Sequence, residues 1–194
     1  METRNLLITG FDPFGGESVN PSWLAVSRLP EKIGNYTVHK MGIPTVFGKA
    51  AENVLEKANE IQPDLILCIG QAGGRDAVTP ERIAVNIRDA RIQDNAGNQP
   101  RGEFVVPDGP AAYFATVPVT EMAEAIRNAH VPSTVSNSAG AFVCNDVLYI
   151  LLHHYHGSTT RVGFIHVPYL PEQGNPSLPL HQTVAALIAA IEAC

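Results

Sequence analysis

Three residues far apart in the chain have types suited to acyl transfer: a thiol at Cys144, an imidazole at His166 and a carboxylate at Glu81. A thiol nucleophile needs a base, and the base needs a third group to orient it. Cys144 lies in SNSAGAFVCND, at the first turn of a helical stretch that follows a polar loop. The unpaired N–H groups and dipole of a helix start favour thiolate over thiol. The same amides could hold an oxyanion, with the Cys144 backbone N–H as first candidate. His166 closes the apolar run RVGFIH, and Glu81 follows the loop GQAGGRDAVTP. The separations, 144 − 81 = 63 and 166 − 144 = 22 residues, are too long for local contact. Each residue also has a plainer reading: a core cysteine, a structural histidine, and a surface ion pair of Glu81 with Arg82.

Other reactive types are less well placed. Cys68 sits inside DLILCIG and reads as a small buried hydrophobe. Cys194 is the last residue and is expected to fray. His153, His154 and His156 form HHxH, but neighbours on a helix point about 100° apart, so no metal site is expected there. Gly70, Gly73 and Gly74 do not fit GxGxxG, and no P-loop lysine follows them.

The elements that must position these residues alternate between two periods. Asn5–Thr9, Tyr36–Ile43, Asp64–Gly70, Arg82–Arg88 and Arg161–Val167 read as strands, with a further short one at Thr134–Ser136. Helices are expected from Asn20-Pro21, over 47–61, over Glu121–His130, over Ala141–His156 and at the C-terminus from Leu180. Asp89–Pro110 is a long polar connection, a length that tends to be functional or disordered. The pattern predicts one α/β layered domain spanning 1–194, with a mainly parallel, mixed central sheet and helices on both faces. Sites in such sheets form outside the carboxyl ends of strands.

Composition narrows the function classes. With 194 residues the chain can bury about 70% of its unfolded surface, enough to fold without staples. A net charge of −6 argues against nucleic acid as partner. No apolar run approaches the roughly 20 residues of a membrane span. The start METRNLLITG lacks a signal-peptide pattern, and three cysteines are an odd, sparse set, so a reduced cytoplasmic protein is expected. Charged residues are only 16%, which suggests surface covered by other subunits.

The whole chain, from GFDPFGG (10–16) to HVPYLPEQ (166–173), resembles the pyroglutamyl peptidase type I family of cysteine peptidases. Two signature segments carry the resemblance, GQAGGRDAVTPERIAVN (70–86) and VSNSAGAFVCN (135–145). It implies a Glu81–Cys144–His166 triad that removes N-terminal pyroglutamyl residues from peptides through a thioester. It also implies Arg91 as a second oxyanion candidate, a homotetramer, and no metal or cofactor. A pyroglutamyl pocket should offer apolar faces, here Phe11, Phe14 and Phe142, with backbone donor and acceptor groups near Gln71. It should lack a carboxylate, since the substrate has no ammonium. Core packing is the plainer reading of the phenylalanines. One departure stands out: Gln93 in Arg91-Ile92-Gln93-Asp94-Asn95 replaces an expected proline, which loosens that loop's expected rigidity. A different class of reading is a non-catalytic or phosphorylase-like α/β small-ligand-binding protein.

Overall fold

A computed structural model describes residues 3–194; Met1 and Glu2, part of the N-terminal segment read above, lie outside the described residues. In chain order the elements are β1 (Arg4–Phe11), α1 (Pro21–Ser27), β2 (Lys32–Ile33), β3 (Tyr36–Ile43), α2 (Lys49–Ile61), β4 (Leu65–Gln71), β5 (Thr79–Pro80), β6 (Ile83–Val85), β7 (Ala112–Phe114), α3 (Val119–Asn128), α4 (Val143–His154), β8 (Arg161–Val167) and α5 (Leu180–Glu192). The main sheet runs β2-β3-β1-β4-β8-β5. Its four central strands are parallel, and the short edge strands β2 and β5 are antiparallel. This is the mixed, mainly parallel sheet expected.

Alternation along the strands sorts the core into two layers. Leu6, Ile8, Leu65, Leu67, Ile69, Ile165 and Val167 face α1, α3 and α5. Leu7, Ile66, Cys68, Val162 and Phe164 face α2 and α4. Strands covered on both faces must be apolar at every position, which is why DLILCIG carries no alternation. Asn20 caps α1, accepting from the Ser22 N–H at 3.0 Å, with Pro21 in the first turn.

Four expectations change. Only Ile83–Val85 of the expected strand Arg82–Arg88 pairs, and it joins β7 in a separate two-stranded ribbon. The strand stops because the Asn86 side chain turns aside to bond both the N–H and the C=O of Val106, at 2.9 and 2.7 Å. Thr134–Ser136 forms no strand; Ser133 and Ser136 make single bridges to Val78 and Glu81. The helix expected over Ala141–His156 begins at Val143, since Phe142 is extended and Gly140 has φ +78. Cys194 is not frayed: it packs against the core beside α5, and its thiol donates to the Ala190 carbonyl at 3.4 Å. Cys68 is fully buried, as read.

Candidate active site

The site is built where β4 and β8 end side by side. Their parallel register sets Gly70 opposite His166. Both positions belong to the face that carries Cys68 and Phe164, two residues earlier on each strand, and so look toward α4. Gly70 is required there by close approach. A Cβ at this position would lie 2.9 Å from the Cys144 Sγ and 2.7 Å from Phe164 Cζ. The missing side chain is the space the thiol occupies beside the histidine strand.

Cys144 is the second residue of α4. Amides in a helix's first turn have no ladder partner, so the Cys144 N–H is available to an oxygen in front of it. The helix start is held from below by its next two residues. Asn145 bonds the N–H and C=O of Val85 at 2.9 and 2.8 Å. Asp146 accepts from Arg88 Nε at 2.6 Å and from the Gly48 N–H at 2.8 Å. All of these link α4 to segments distant in sequence, which fixes where the thiol sits.

Glu81 arrives by a different route. β5 pairs antiparallel with β8, Thr79 opposite His166. Two residues on, the Glu81 N–H donates to the Phe164 carbonyl at 2.9 Å, while Ser136 bridges it from the other side. The Glu81 carboxylate is 0% exposed, which rules out the surface ion pair with Arg82. Its Oε1 accepts from His166 Nδ1 at 2.7 Å. An ionised carboxylate can only accept, so Nδ1 carries the proton and Nε2 keeps its lone pair. Oε1 also accepts from Arg75 Nη1 at 2.6 Å.

Electrostatics set the resting protonation. Burial pushes the Cys144 thiol up to about 12, and the negative charge of Glu81 acts in the same direction. Burial and neighbouring charge therefore outweigh the helix start, and the resting group is a thiol rather than the expected thiolate. Burial lowers His166 below its ordinary value, more than its bond to Glu81 raises it. Burial alone would raise the Glu81 carboxyl, but the bond and charge of His166, with help from Ser136 and Arg75, hold it below its usual range. Neutral imidazole next to a carboxylate is the base-competent state.

Cys144 and His166 line one cavity of about 840 Å³, together with Phe14, Gln71, Arg75, Arg91, Phe142 and the 138–141 loop. Phe142 stacks at a tilt on Phe14, with centroids 6.0 Å apart, and meets Phe47 edge-on at 5.3 Å. Gln71 is held by Gln173, whose Nε2 donates to its Oε1 at 3.0 Å. Phe11 does not line this cavity. It is 2% exposed and packs against Phe164 in the core, because it still belongs to β1, whose side chains are covered. The expectation of a lining without carboxylate also changes: exposed Asp89 lies on the cavity beside exposed Arg91 and Ile92. The loop carrying them does not depend on a proline at 93. Asp94 accepts from the N–H groups of Phe47, Ala96 and Asn98, and Asn95 donates to Asp12 and Pro13.

Arg75 and Asp89 escaped the sequence reading. Arg75 stood in view, six residues before Glu81 inside GQAGGRDAVTPE, as a lone cation after two glycines. Nothing in the sequence marks Asp89, whose place on the cavity depends on its N–H bond to the Ala141 carbonyl at 2.9 Å. Outside the site, His153 Nδ1 bonds the Tyr113 hydroxyl at 2.9 Å.

A thiol at a helix start, a neutral imidazole at the carboxyl end of a parallel strand and a buried carboxylate after the antiparallel edge strand together define an α/β protein with the constellation of a cysteine hydrolase. Residues 4–194 match the profile of the family described as Pyroglutamyl peptidase, and the chain belongs to that family. It is similar to the pyrrolidone-carboxylate peptidase of Levilactobacillus brevis, 53% identical over 97% of this chain and 96% of that one. Its structure is similar to pyroglutamyl peptidase I from Bacillus amyloliquefaciens, with a TM-score of 0.95 at 47% identity over 100% of this chain and 95% of that chain. It is also similar to the pyrrolidone carboxyl peptidase of Thermococcus litoralis, with a TM-score of 0.94 at 38% identity over 98% and 93% of the two chains.

Proposed function

We propose that this chain, as one catalytic domain over 1–194, removes N-terminal pyroglutamyl residues from peptides through a thioester on Cys144. The observation that carries the reading is the His166–Glu81 bond of 2.7 Å in a cavity shared with the Cys144 thiol, in a member of this family. Cys144 Sγ attacks the pyroglutamyl carbonyl carbon as His166 Nε2 takes the thiol proton. His166 returns that proton to the leaving amine, and Glu81 stabilises the imidazolium in between. Water then hydrolyses the thioester by the same base. The Cys144 N–H is the first oxyanion donor and Arg91 the second. Phe14 and Phe142 supply the apolar walls and Gln71 the polar edge for the lactam. A constellation built at this cost in buried charge disfavours the non-catalytic or phosphorylase-like binding protein.

The coarser surroundings follow the same reading. A homotetramer fits the 16% charged composition and the exposure of Phe104 and Phe114, 66% and 69%. The three free cysteines suit the reducing cytoplasm. The net charge of −6 suits a partner that is a small peptide rather than nucleic acid. No helix among the described residues is long and apolar enough to cross a membrane.

The test compares chromogenic pyroglutamyl and prolyl amides with the wild type and Cys144→Ser. A prolyl ring lacks the lactam carbonyl and carries a cation, so its kcat/KM is expected to be lower by about 10³, at about 1.4 kcal/mol per tenfold. Cys144→Ser is expected to lose turnover with its fold intact. Comparable values for the two amides would refute the lactam reading of the pocket, and residual activity within tenfold in Cys144→Ser would refute the nucleophile.

A further inference from the structure

We infer that Arg75 is a positioning residue, which fixes Glu81 against His166 and ties both to the loop that delivers Cys144. The inference rests on the peptidase reading above and adds a fourth side chain to it. Arg75 Nη1 donates to the same Glu81 Oε1 that receives His166 Nδ1, at 2.6 and 2.7 Å. It also donates to the Thr79 hydroxyl, opposite His166 on the paired edge strand. Its other terminal nitrogen donates to the Ser138 carbonyl at 3.1 Å, in the loop leading into α4. One planar fork therefore joins the carboxylate, the strand that carries it and the loop before the nucleophile. Lysine has the charge but not the fixed fork.

The geometry gives this contact a chemical purpose. The other Glu81 oxygen, Oε2, is buried without a hydrogen-bond partner among the described residues, so the contacts from His166 and Arg75 both fall on Oε1. Without the guanidinium, the charge of a carboxylate 0% exposed is balanced by His166, with the neutral Ser136 hydroxyl as a weaker partner. It then draws the imidazole toward its protonated form, and a protonated imidazole cannot accept the thiol proton. Arg75 opposes this directly, since its charge lowers both His166 and Cys144 while it bonds Glu81. The charged or titratable groups facing His166 are Glu81, Arg75 and Cys144, with Asp89 and Arg91 exposed on the lining of the same cavity.

Two variants separate charge from fork. Arg75→Gln keeps an uncharged N–H donor on a shorter side chain and loses both charge and fork. Arg75→Lys keeps the charge but loses the fork. For Arg75→Gln, kcat on a pyroglutamyl amide is expected to fall about tenfold or more, with KM within threefold and the acid limb of the kcat profile moved about one pH unit upward. For Arg75→Lys the limb stays in place while kcat falls by about tenfold. Kinetics of Arg75→Gln within threefold of wild type, or a lower kcat with an unmoved limb, would overturn the inference. Should Arg75→Gln not fold, Arg75→Lys decides: the lowered kcat at an unmoved limb supports it, and wild-type kcat overturns it. Iodoacetamide alkylation of Cys144 against pH reads the same limb without turnover. A wild type that is inactive on the amide therefore fails the peptidase reading alone and leaves this inference open to the alkylation result.

Discussion

Glu81→Gln is the sharpest perturbation of the site, because the structure dictates which way the amide must face. In serine-protease triads the corresponding change costs about 10⁴ in kcat, since the amide nitrogen donates to the histidine and forces the wrong tautomer. Here the oxygen that meets His166 Nδ1 also meets Arg75, at 2.7 and 2.6 Å. A guanidinium has donors only, so the amide must turn its oxygen toward Arg75 and thereby toward Nδ1–H. The tautomer survives, and the loss is confined to charge. A hydrogen bond to an ionised acceptor contributes about 1.5–3 kcal/mol against about 0.5–1.5 for a neutral one. Two unit charges about 4 Å apart at a partly screened site interact by about 4 kcal/mol. The stabilisation of the imidazolium that disappears is then about 2–4 kcal/mol, or about 30- to 10³-fold in kcat at 1.36 kcal/mol per tenfold. The assay is kcat on a pyroglutamyl amide, with ¹⁵N chemical shifts of the His166 ring to read the tautomer. A fall of about 10⁴ with the proton moved to Nε2 would refute the orienting effect of Arg75. A fall of less than threefold would remove Glu81 from the mechanism.

Gly70→Ala puts a methyl where Phe164 Cζ and the Cys144 Sγ already stand, at 2.7 and 2.9 Å. Stability is expected to fall by about 1–3 kcal/mol in chemical denaturation. The displaced thiol should lower kcat by about 10², and an unchanged kcat would show that the Cys144 position is not set by this contact. The pH dependence of stability has a definite sign. His166 is lowered by burial, so its folded value lies below the unfolded value of about 6.5. Its contribution is complete above about pH 6.5 and is lost as pH falls toward the folded value, because the unfolded chain binds the extra proton. The unfolding midpoint should drop as pH falls below about 6.5, and His166→Gln should flatten that slope. Equal slopes in variant and wild type would contradict the burial of a neutral imidazole.

Local chemistry wrote much of the fold plainly into the chain. The apolar runs of β1, β4 and β8 are continuous because helices cover both faces of the sheet, and composition alone exposes such runs. Asn20-Pro21 announces α1 because capping involves only the next two residues. Cys144 and His166 were legible for the same reason, each standing at the boundary of an element its neighbours define. Glu81 was legible as a carboxylate in a signature segment, but its burial was not. That depends on Ser136 on one side and Phe164 on the other, 55 and 83 residues away in the chain. Phe11 and Phe14 look alike in GFDPFGG, yet the first is still strand and faces the core while the second has left it and lines the cavity. The thiol's protonation likewise follows from what surrounds it. A helix start alone favours the thiolate, and only the packed structure brings the desolvation and the Glu81 charge that reverse the balance. Arg75 belongs to this second kind. Its role exists only because the fold brings the 79–81 segment, with its hydroxyl and carboxylate, against the Ser138 carbonyl, 63 residues from Arg75 in the chain.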